Sequence, residues 1–440
     1  MRARNKARFV LVVLCIFLVF PLFIFIRAIF SFDSLQNLNS TAFFYLLGKL
    51  AGLIGFLFLS LLIFSGDTAR FFDRFFGMDK IIKFQRKFAL VTTIFVFLHP
   101  VFFVLSGRSV LPYIIPDFSV IPLALGTISL YIFIIVMIAS KIYKRISYNI
   151  WQYIHLLTYL LFFFSLYHAV NWGSDYKLVP LKIIYGITLM FLVTGIIYRT
   201  YYKIKQKYAG RFYVQEIKKE TKDTLTLTLK TERAFLFKAG QFCFLRLNKD
   251  KLYARHPFTI SSSPKENELC FKVKLTGRFT KVLSELEKGE EVIIDGPFGI
   301  FTIEDERKNL VFIAGGVGIA PFLSMIKDRM IADGKIQNVT LLYGSKTKED
   351  IICKGWLDGI KKDWFKKVYI LNNNHSLSDP EIHKYETGHI NKEIIKKHIE
   401  NMDNSVFYIC GPELMKNSLK ETLNELGVNK QNIVIEDFFW

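Results

Sequence analysis

Three histidines, His99, His155 and His168, interrupt stretches of sequence apolar enough to lie in a lipid bilayer. An ionisable side chain at membrane depth is costly and usually has a working partner, so these imidazoles are candidate ligands first. His155 and His168 stand 13 residues apart, roughly 20 Å along a helix that rises about 1.5 Å per residue, so each would serve a separate iron, one near each membrane face. Pairing His168 with His99 from another helix gives bis-histidine ligation of an outer haem, which suits electron transfer because no coordination position is left open. An inner haem would need His155 and a residue 14 positions before His99, and that residue is Gln85, in Phe84-Gln-Arg-Lys-Phe88. A carboxamide is a poor haem ligand beside an imidazole. Thirteen residues also leave two side chains some 140° apart on an ideal helix, so a bulge or tilt is expected between His155 and His168. Polar packing between helices and a proton pathway are the other uses open to such residues.

The second half of the chain carries residue types suited to flavin and nucleotide. In Arg255-His-Pro-Phe-Thr-Ile-Ser-Ser262 a proline stiffens an extended segment that can lie against a flavin ring, with the Thr259 hydroxyl on the ring's polar edge. An ordinary strand and turn is the plain alternative. In the run Lys272 to Lys281, Gly277 allows close backbone approach, and Lys274, Arg278 and Thr280 would neutralise a pyrophosphate beside the N-terminus of the helix that follows. Gly315-Gly316-Val317-Gly318-Ile-Ala-Pro321 stands between a buried strand and a helix, the context a phosphate-binding turn requires, although it departs from G-x-G-x-x-G. Ser345 and Lys346 follow the next strand, where an acidic residue would select an unphosphorylated ribose; a hydroxyl and a cation favour NADPH, with NADH the other option. Cys410-Gly411-Pro412 puts a thiol at a strand's carboxyl end, where ligands of such sheets bind and where a buried structural cysteine is also common. The terminal Phe438-Phe439-Trp440 offers an aromatic ring that can stack on a flavin or pack as a tail. His375, His383, His389 and His398 lie in polar sequence and read as surface residues.

The elements that must position these residues fall into two kinds. Of 440 residues 51% are hydrophobic, with a formal net charge of +20, too apolar for an ordinary soluble chain of this length. Apolar runs at Phe9 to Phe30 and at about 41–66, 82–106, 121–143, 151–170 and 179–202 are each long enough to cross a hydrocarbon core of roughly 30 Å, giving six spans. The first is too long for a signal peptide and lacks a small-residue cleavage site. Basic residues collect at the second and fourth connections (Arg70, Arg74, Lys80, Lys83, Arg86, Lys87; Lys141, Lys144, Arg145), whereas 107–120 has only Arg108, so both termini are expected in the cytoplasm of a multi-pass cell-membrane protein. The charge is accounted for by lipid-flanking loops, and nucleic acid is not an expected partner. Five cysteines without C-x-x-C spacing suggest neither disulfides nor a thiolate metal site. From Tyr201 the pattern turns to short alternating strands such as Thr224-Leu-Thr-Leu-Thr-Leu229, an antiparallel barrel; after Arg307 it turns to strand, glycine turn and helix, a doubly wound parallel sheet. The expected domains are 1–202, 203–306 and 307–440.

With these motifs in order, the chain resembles the NADPH oxidase and ferric reductase superfamily, over nearly its whole length. The resemblance implies a six-helix transmembrane haem bundle, then a ferredoxin-reductase-like FAD barrel and a Rossmann-like NADPH domain. It implies flavin contacts at His256, Pro257, Phe258 and Thr259, FAD phosphates near Lys272 to Thr280, nucleotide contacts from Gly315 to Pro321 and at Cys410, and shielding of the flavin by Trp440. Gln85 departs from the pattern, which has a histidine there. The activity implied is electron transfer from NADPH through FAD and haem to extracytoplasmic O2, giving superoxide. Reduction of ferric chelates by the same architecture, or donation to a periplasmic partner protein, are the alternatives.

Overall fold

In the computed structural model the described residues are 39–143, 145–173, 178–207, 211–231, 234–247, 256–304, 308–332, 337–372 and 384–437, with scattered positions between 12 and 27. The chain divides into two compact units, residues 1–208 and 209–440.

In the first unit α1 (Ser40–Asp67), α2 (Ala69–Phe76), α3 (Met78–Leu105), α4 (Ile121–Lys141), α5 (Tyr148–Trp172) and α6 (Val179–Lys207) follow one another. Five of them, all but α2, are long and apolar enough to cross a membrane. They match the five later apolar runs within a few residues; the expected first span, Phe9 to Phe30, lies largely outside the described residues. Asn39 and Ser147 cap α1 and α5, accepting hydrogen bonds from the Ala42 and Ile150 amides. Large apolar side chains such as Leu90, Ile94, Ile138 and Ile197 point outward, a surface that water would not tolerate and lipid would. Two expectations are corrected. α6 continues to Lys207, so the helical unit ends about six residues beyond 202. And α5 runs unbroken from Tyr148 to Trp172 without a bulge between His155 and His168, so their rotation is kept and they meet different neighbours.

In the second unit β1 (Phe212–Lys219), β2 (Thr224–Thr231), β3 (Phe242–Arg246), β4 (His256–Thr259), β5 (Glu268–Lys274) and β6 (Glu291–Phe298) form an antiparallel sheet ordered β4-β3-β6-β1-β2-β5. A bridge between Ile260 and Phe271 joins the two ends into a barrel. Leu225, Leu227 and Leu229 of β2 enter its core, as the alternation requires. The threonine face of β2 is buried as well, because Glu220, Lys272 and Cys270 cover it. After the helix α7 (Arg278–Ser284) and β6 come β7 (Asn309–Gly315), α8 (Ala320–Met330), β8 (Val339–Ser345), α9 (Lys354–Gly359), β9 (Phe365–Leu371), β10 (Glu386–Thr387), α10 (Lys392–His398), β11 (Ser405–Cys410), α11 (Glu413–Glu425) and β12 (Ile433–Ile435). Their sheet is parallel and ordered β10-β9-β8-β7-β11-β12. Alternate residues of β7 enter separate cores on its two faces, Phe312 on one and Ile313 on the other, as a doubly wound sheet demands. The order reverses at β7, between β8 and β11, the kind of switch point where such sheets open a crevice.

Candidate functional site

His99 on α3 and His168 on α5 face one another with ring centroids 6.2 Å apart and planes at 88°. Each ring is fixed by a backbone carbonyl of a neighbouring helix: His99 Nδ1 lies 2.8 Å from the Gly48 oxygen, and His168 Nδ1 lies 2.8 Å from the Pro122 oxygen. A carbonyl can only accept, so both Nδ1 atoms carry the proton and both Nε2 atoms keep a lone pair. Glycines make the room: a Cβ on Gly52 or on Gly126 would come within 2.5 Å of the His99 or the His168 Nδ1. Both rings line a cavity of about 680 Å³ together with Lys49, Arg108, Tyr113 and Trp172, within the size of cofactor pockets. A metal held at about 2 Å by each of two imidazoles separates their centres by about 6 Å once the ring radii are added, so these residues fit a haem iron between them.

His155 does not join that pair. Its ring stacks on Trp151 at 4.8 Å and 21°. One turn on, the Tyr159 hydroxyl lies 2.8 and 2.9 Å from the two oxygens of Asp67, and Arg199 donates to both Asp67 (3.1 Å) and Tyr159 (2.9 Å). Gln85 donates from Nε2 to Ser65 Oγ at 3.1 Å. Sequence reading missed Gly52, Gly126 and the Asp67–Tyr159–Arg199 network. Asp67 ends an apolar run, and an acidic residue at that depth was the available signal.

In the second unit, the Thr259 hydroxyl is buried and has no hydrogen-bond partner among the described residues. A buried orphan hydroxyl calls for a partner, and this one stands where a flavin edge was expected, so the strand fits an FAD. His256 stacks on Phe279 at 3.9 Å, and Phe258 lies 6.1 Å from the same ring. Burial holds the His256 imidazole below its ordinary pKa, hence neutral at pH 7. Pro257 lies between them on β4, paired with Phe244 of β3.

The basic run behaves differently from the expectation. Lys272 is buried, 3.0 Å from Glu220 Oε1 and 2.6 Å from Thr226 Oγ1. Burial disfavours its ammonium, but Cys353 and Glu220 more than restore it and the pKa rises. Lys274 pairs with Asp223 at 3.4 Å. Thr280 Oγ1 accepts from the Thr276 and Gly277 amides and donates to the Gly277 carbonyl. Lys272 is committed inside the chain because unpaired it would bury a charge, and Thr280 because it caps a helix start; Lys274 is half-exposed in its pair, and Gly277 and Arg278 stay exposed.

At the switch point Gly316 has φ +54° and open space around its missing side chain, which suits a ligand lying against its backbone. Gly318 serves packing instead, since a Cβ there would run into the Cys410 carbonyl. Pro321 enters the first turn of α8, and Val317 packs on the core. Tyr343, unnoticed in the sequence, donates to the Gly316 carbonyl at 3.1 Å and accepts from the Ile352 amide, so a buried phenol braces the turn. Cys410 is fully buried in the core and its thiol is pushed far up in pKa, by burial first and then by Glu436. Gly411 and Pro412 lead into α11 beside Gly315. Ser345 is buried, leaving Lys346 as the exposed member of its pair. Trp440 lies outside the described residues. The tail leading to it is pinned by Lys416 Nζ, 2.7 Å from Asp437 and 3.2 Å from the Glu436 carbonyl. His398, expected at the surface, is mostly buried, 15% exposed, and paired with Glu386 at 2.8 Å.

Three family descriptions match successive parts of the chain: "Ferric reductase like transmembrane component" over residues 51–166, "FAD-binding domain" over 211–302 and "Oxidoreductase NAD-binding domain" over 312–421. Among curated proteins, one component of the Na(+)-translocating NADH-quinone reductase of Neisseria meningitidis is 30% identical over 165 residues, 37% of this chain. The chain spans only 40% of that relative's length. NADH-cytochrome b5 reductase 1 of Dictyostelium discoideum is 30% identical over 201 residues, 44% of this chain and 68% of the relative. Solved structures that align include a ferredoxin NADP+ reductase from Neisseria gonorrhoeae with bound FAD and NADP, at 22% identity and TM-score 0.45, covering 51% of this chain and 97% of that one. The chain has the NADPH oxidase and ferric reductase architecture, a ferric-reductase-like transmembrane component followed by FAD-binding and NAD-binding domains.

Proposed function

We propose that this membrane flavoprotein is an NAD(P)H oxidase that takes electrons from cytoplasmic NADPH and delivers them to O2 on the outer face as superoxide. The observation that carries the reading is the His99–His168 pair, two imidazoles 6.2 Å apart with unprotonated Nε2 atoms at a cavity among membrane-spanning helices. FAD, when bound, turns a two-electron hydride into single electrons, and haem carries these through about 30 Å of insulating hydrocarbon. The chain's residues orient and select. Gly48 and Pro122 hold the imidazoles in the ligating tautomer. Lys49 and Arg108, both over the Tyr45 ring and both lining the cavity, put positive charge where carboxylates of a porphyrin or a departing superoxide anion would sit. Thr259 supplies a hydroxyl to the flavin edge, Gly316 and the start of α8 receive the nucleotide phosphates, and Lys346 reads a 2′-phosphate.

The test is NADPH-driven reduction of cytochrome c by the purified chain with and without superoxide dismutase. Abolition by the dismutase supports the oxidase. Turnover insensitive to it, and dependent on an added ferric chelate or a partner protein, overturns the choice of acceptor.

A further inference from the structure

The cytoplasmic half of the helical unit repeats the frame of the outer pair without its ligand. α1 and α3 run antiparallel and side by side, so 14 residues inward along both carry His99 to Gln85, Gly52 to Gly66 and Gly48 to Leu62. The register holds in space. A Cβ on Gly66 would lie 3.8 Å from Gln85 Nε2, much as one on Gly52 would meet the His99 ring. The Leu62 carbonyl, counterpart of the Gly48 carbonyl that fixes His99, accepts from Ser65 Oγ at 3.0 Å, and Ser65 in turn accepts from Gln85 at 3.1 Å. The carboxamide therefore occupies the imidazole's place and is tied, through Ser65, to the imidazole's anchor.

The inner position then has one imidazole among the described residues of these helices, that of His155. His155 is stacked face to face on Trp151 at 4.8 Å. The guanidinium of Arg199 is neutralised by Asp67 and held by Tyr159 in a ring of three side chains from α1, α5 and α6. That charge is not left over for a porphyrin carboxylate. The residues at the inner position do not fit a bis-imidazole haem.

We infer that this chain binds a single haem, at His99 and His168, because Gln85 stands where the inner position needs an imidazole beside that of His155. The inference rests on the haem reading of the outer pair. Full-length protein, purified in detergent and shown to be monodisperse, is assayed for haem by pyridine haemochrome and for released FAD. Wild type gives one haem per FAD, and His155→Ala leaves that ratio unchanged. Gln85→His, which puts an imidazole against Gly66 and within reach of the Leu62 carbonyl, raises it to two and adds a second midpoint in a redox titration. Two haems in wild type, or loss of haem on His155→Ala, overturns the inference while leaving the oxidase reading intact. One haem in Gln85→His overturns the claim that Gln85 is the determinant. No haem in wild type that retains FAD overturns both readings.

Discussion

At the residue scale, the largest discrepancy between pattern and structure concerns Lys272. Its place in a basic run beside Gly277 suggested a phosphate ligand, yet it closes a buried ion pair whose members are mostly withdrawn from water, 8% and 14% exposed. Breaking such a pair by removing one partner leaves an uncompensated charge and costs about 3 kcal/mol or more. Lys272→Met should thus destabilise the chain, and adding Glu220→Gln should recover much of the loss, measured as the temperature at which bound FAD is released. A phosphate ligand would instead weaken FAD binding with no coupling to Glu220. The pH dependence has a definite sign. For Glu220, burial raises the pKa but the Thr226 hydroxyl and the Lys272 ammonium outweigh it, so its pKa is depressed. Its contribution is present above about pH 4.3 and is lost as pH falls through the folded value; that of Lys272, whose pKa is raised, is present below about pH 10.4 and is lost as pH rises through its folded value. The release temperature should hold between those limits and fall outside them, and in the double variant this dependence should flatten. Thr259 makes the opposite case, a hydroxyl with no partner among the described residues. Thr259→Val keeps its volume and removes only the hydrogen bond, so FAD affinity should drop roughly fivefold to tenfold in a fluorescence titration of the flavin-depleted protein; unchanged affinity would remove Thr259 from the flavin site.

At the scale of elements, legibility followed the length of the signal. Five helices match apolar runs because a bilayer-crossing segment needs some 20 consecutive apolar residues, a signal independent of phase. The parallel strands were equally plain, since burial on both faces makes them continuous apolar runs such as Leu310-Val-Phe-Ile-Ala314. What could not be read was which neighbour each side chain meets. The threonine face of β2 looks solvated until Glu220 and Lys272 fold over it, and Gly52 and Gly126 are unremarkable until α3 and α5 bring imidazoles against them. Those two glycines carry a prediction about helix packing. Gly126→Val should push His168 off the Pro122 carbonyl and lower haem affinity about tenfold or more, in the range of a lost supporting contact. Gly186→Ala on α6, where a Cβ meets nothing within 4 Å, should leave haem content unchanged. Equal haem in both variants would show that the His168 seat is not the haem site.

At the scale of the whole molecule, the distribution of charge predicts an orientation in the membrane. Arg70 lies over the Tyr202 ring at 4.4 Å, Arg74 over Phe71 at 4.0 Å and Arg86 over Tyr143 at 5.9 Å. Basic groups on aromatic rings at helix ends are what a membrane–water boundary selects, and an excess of Lys and Arg selects the cytoplasmic one. The same end of α6 leads through Lys203, Lys205 and Lys207 into the unit that matches FAD-binding and NAD-binding domains, so the orientation the basic loops predict would put that unit in the cytoplasm. On that orientation the 107–120 connection, with Arg108 as its lone basic residue, is expected outside, next to the His99–His168 cavity that Arg108 lines. In a background carrying Cys15→Ser, a cysteine placed by Ser109→Cys should react with a membrane-impermeant maleimide on intact cells. One placed by Lys141→Cys should react only after the cells are opened. The reverse pattern would put the basic loops outside and the imidazole pair near the cytoplasm, and an oxidase delivering electrons outward could not be built on that arrangement.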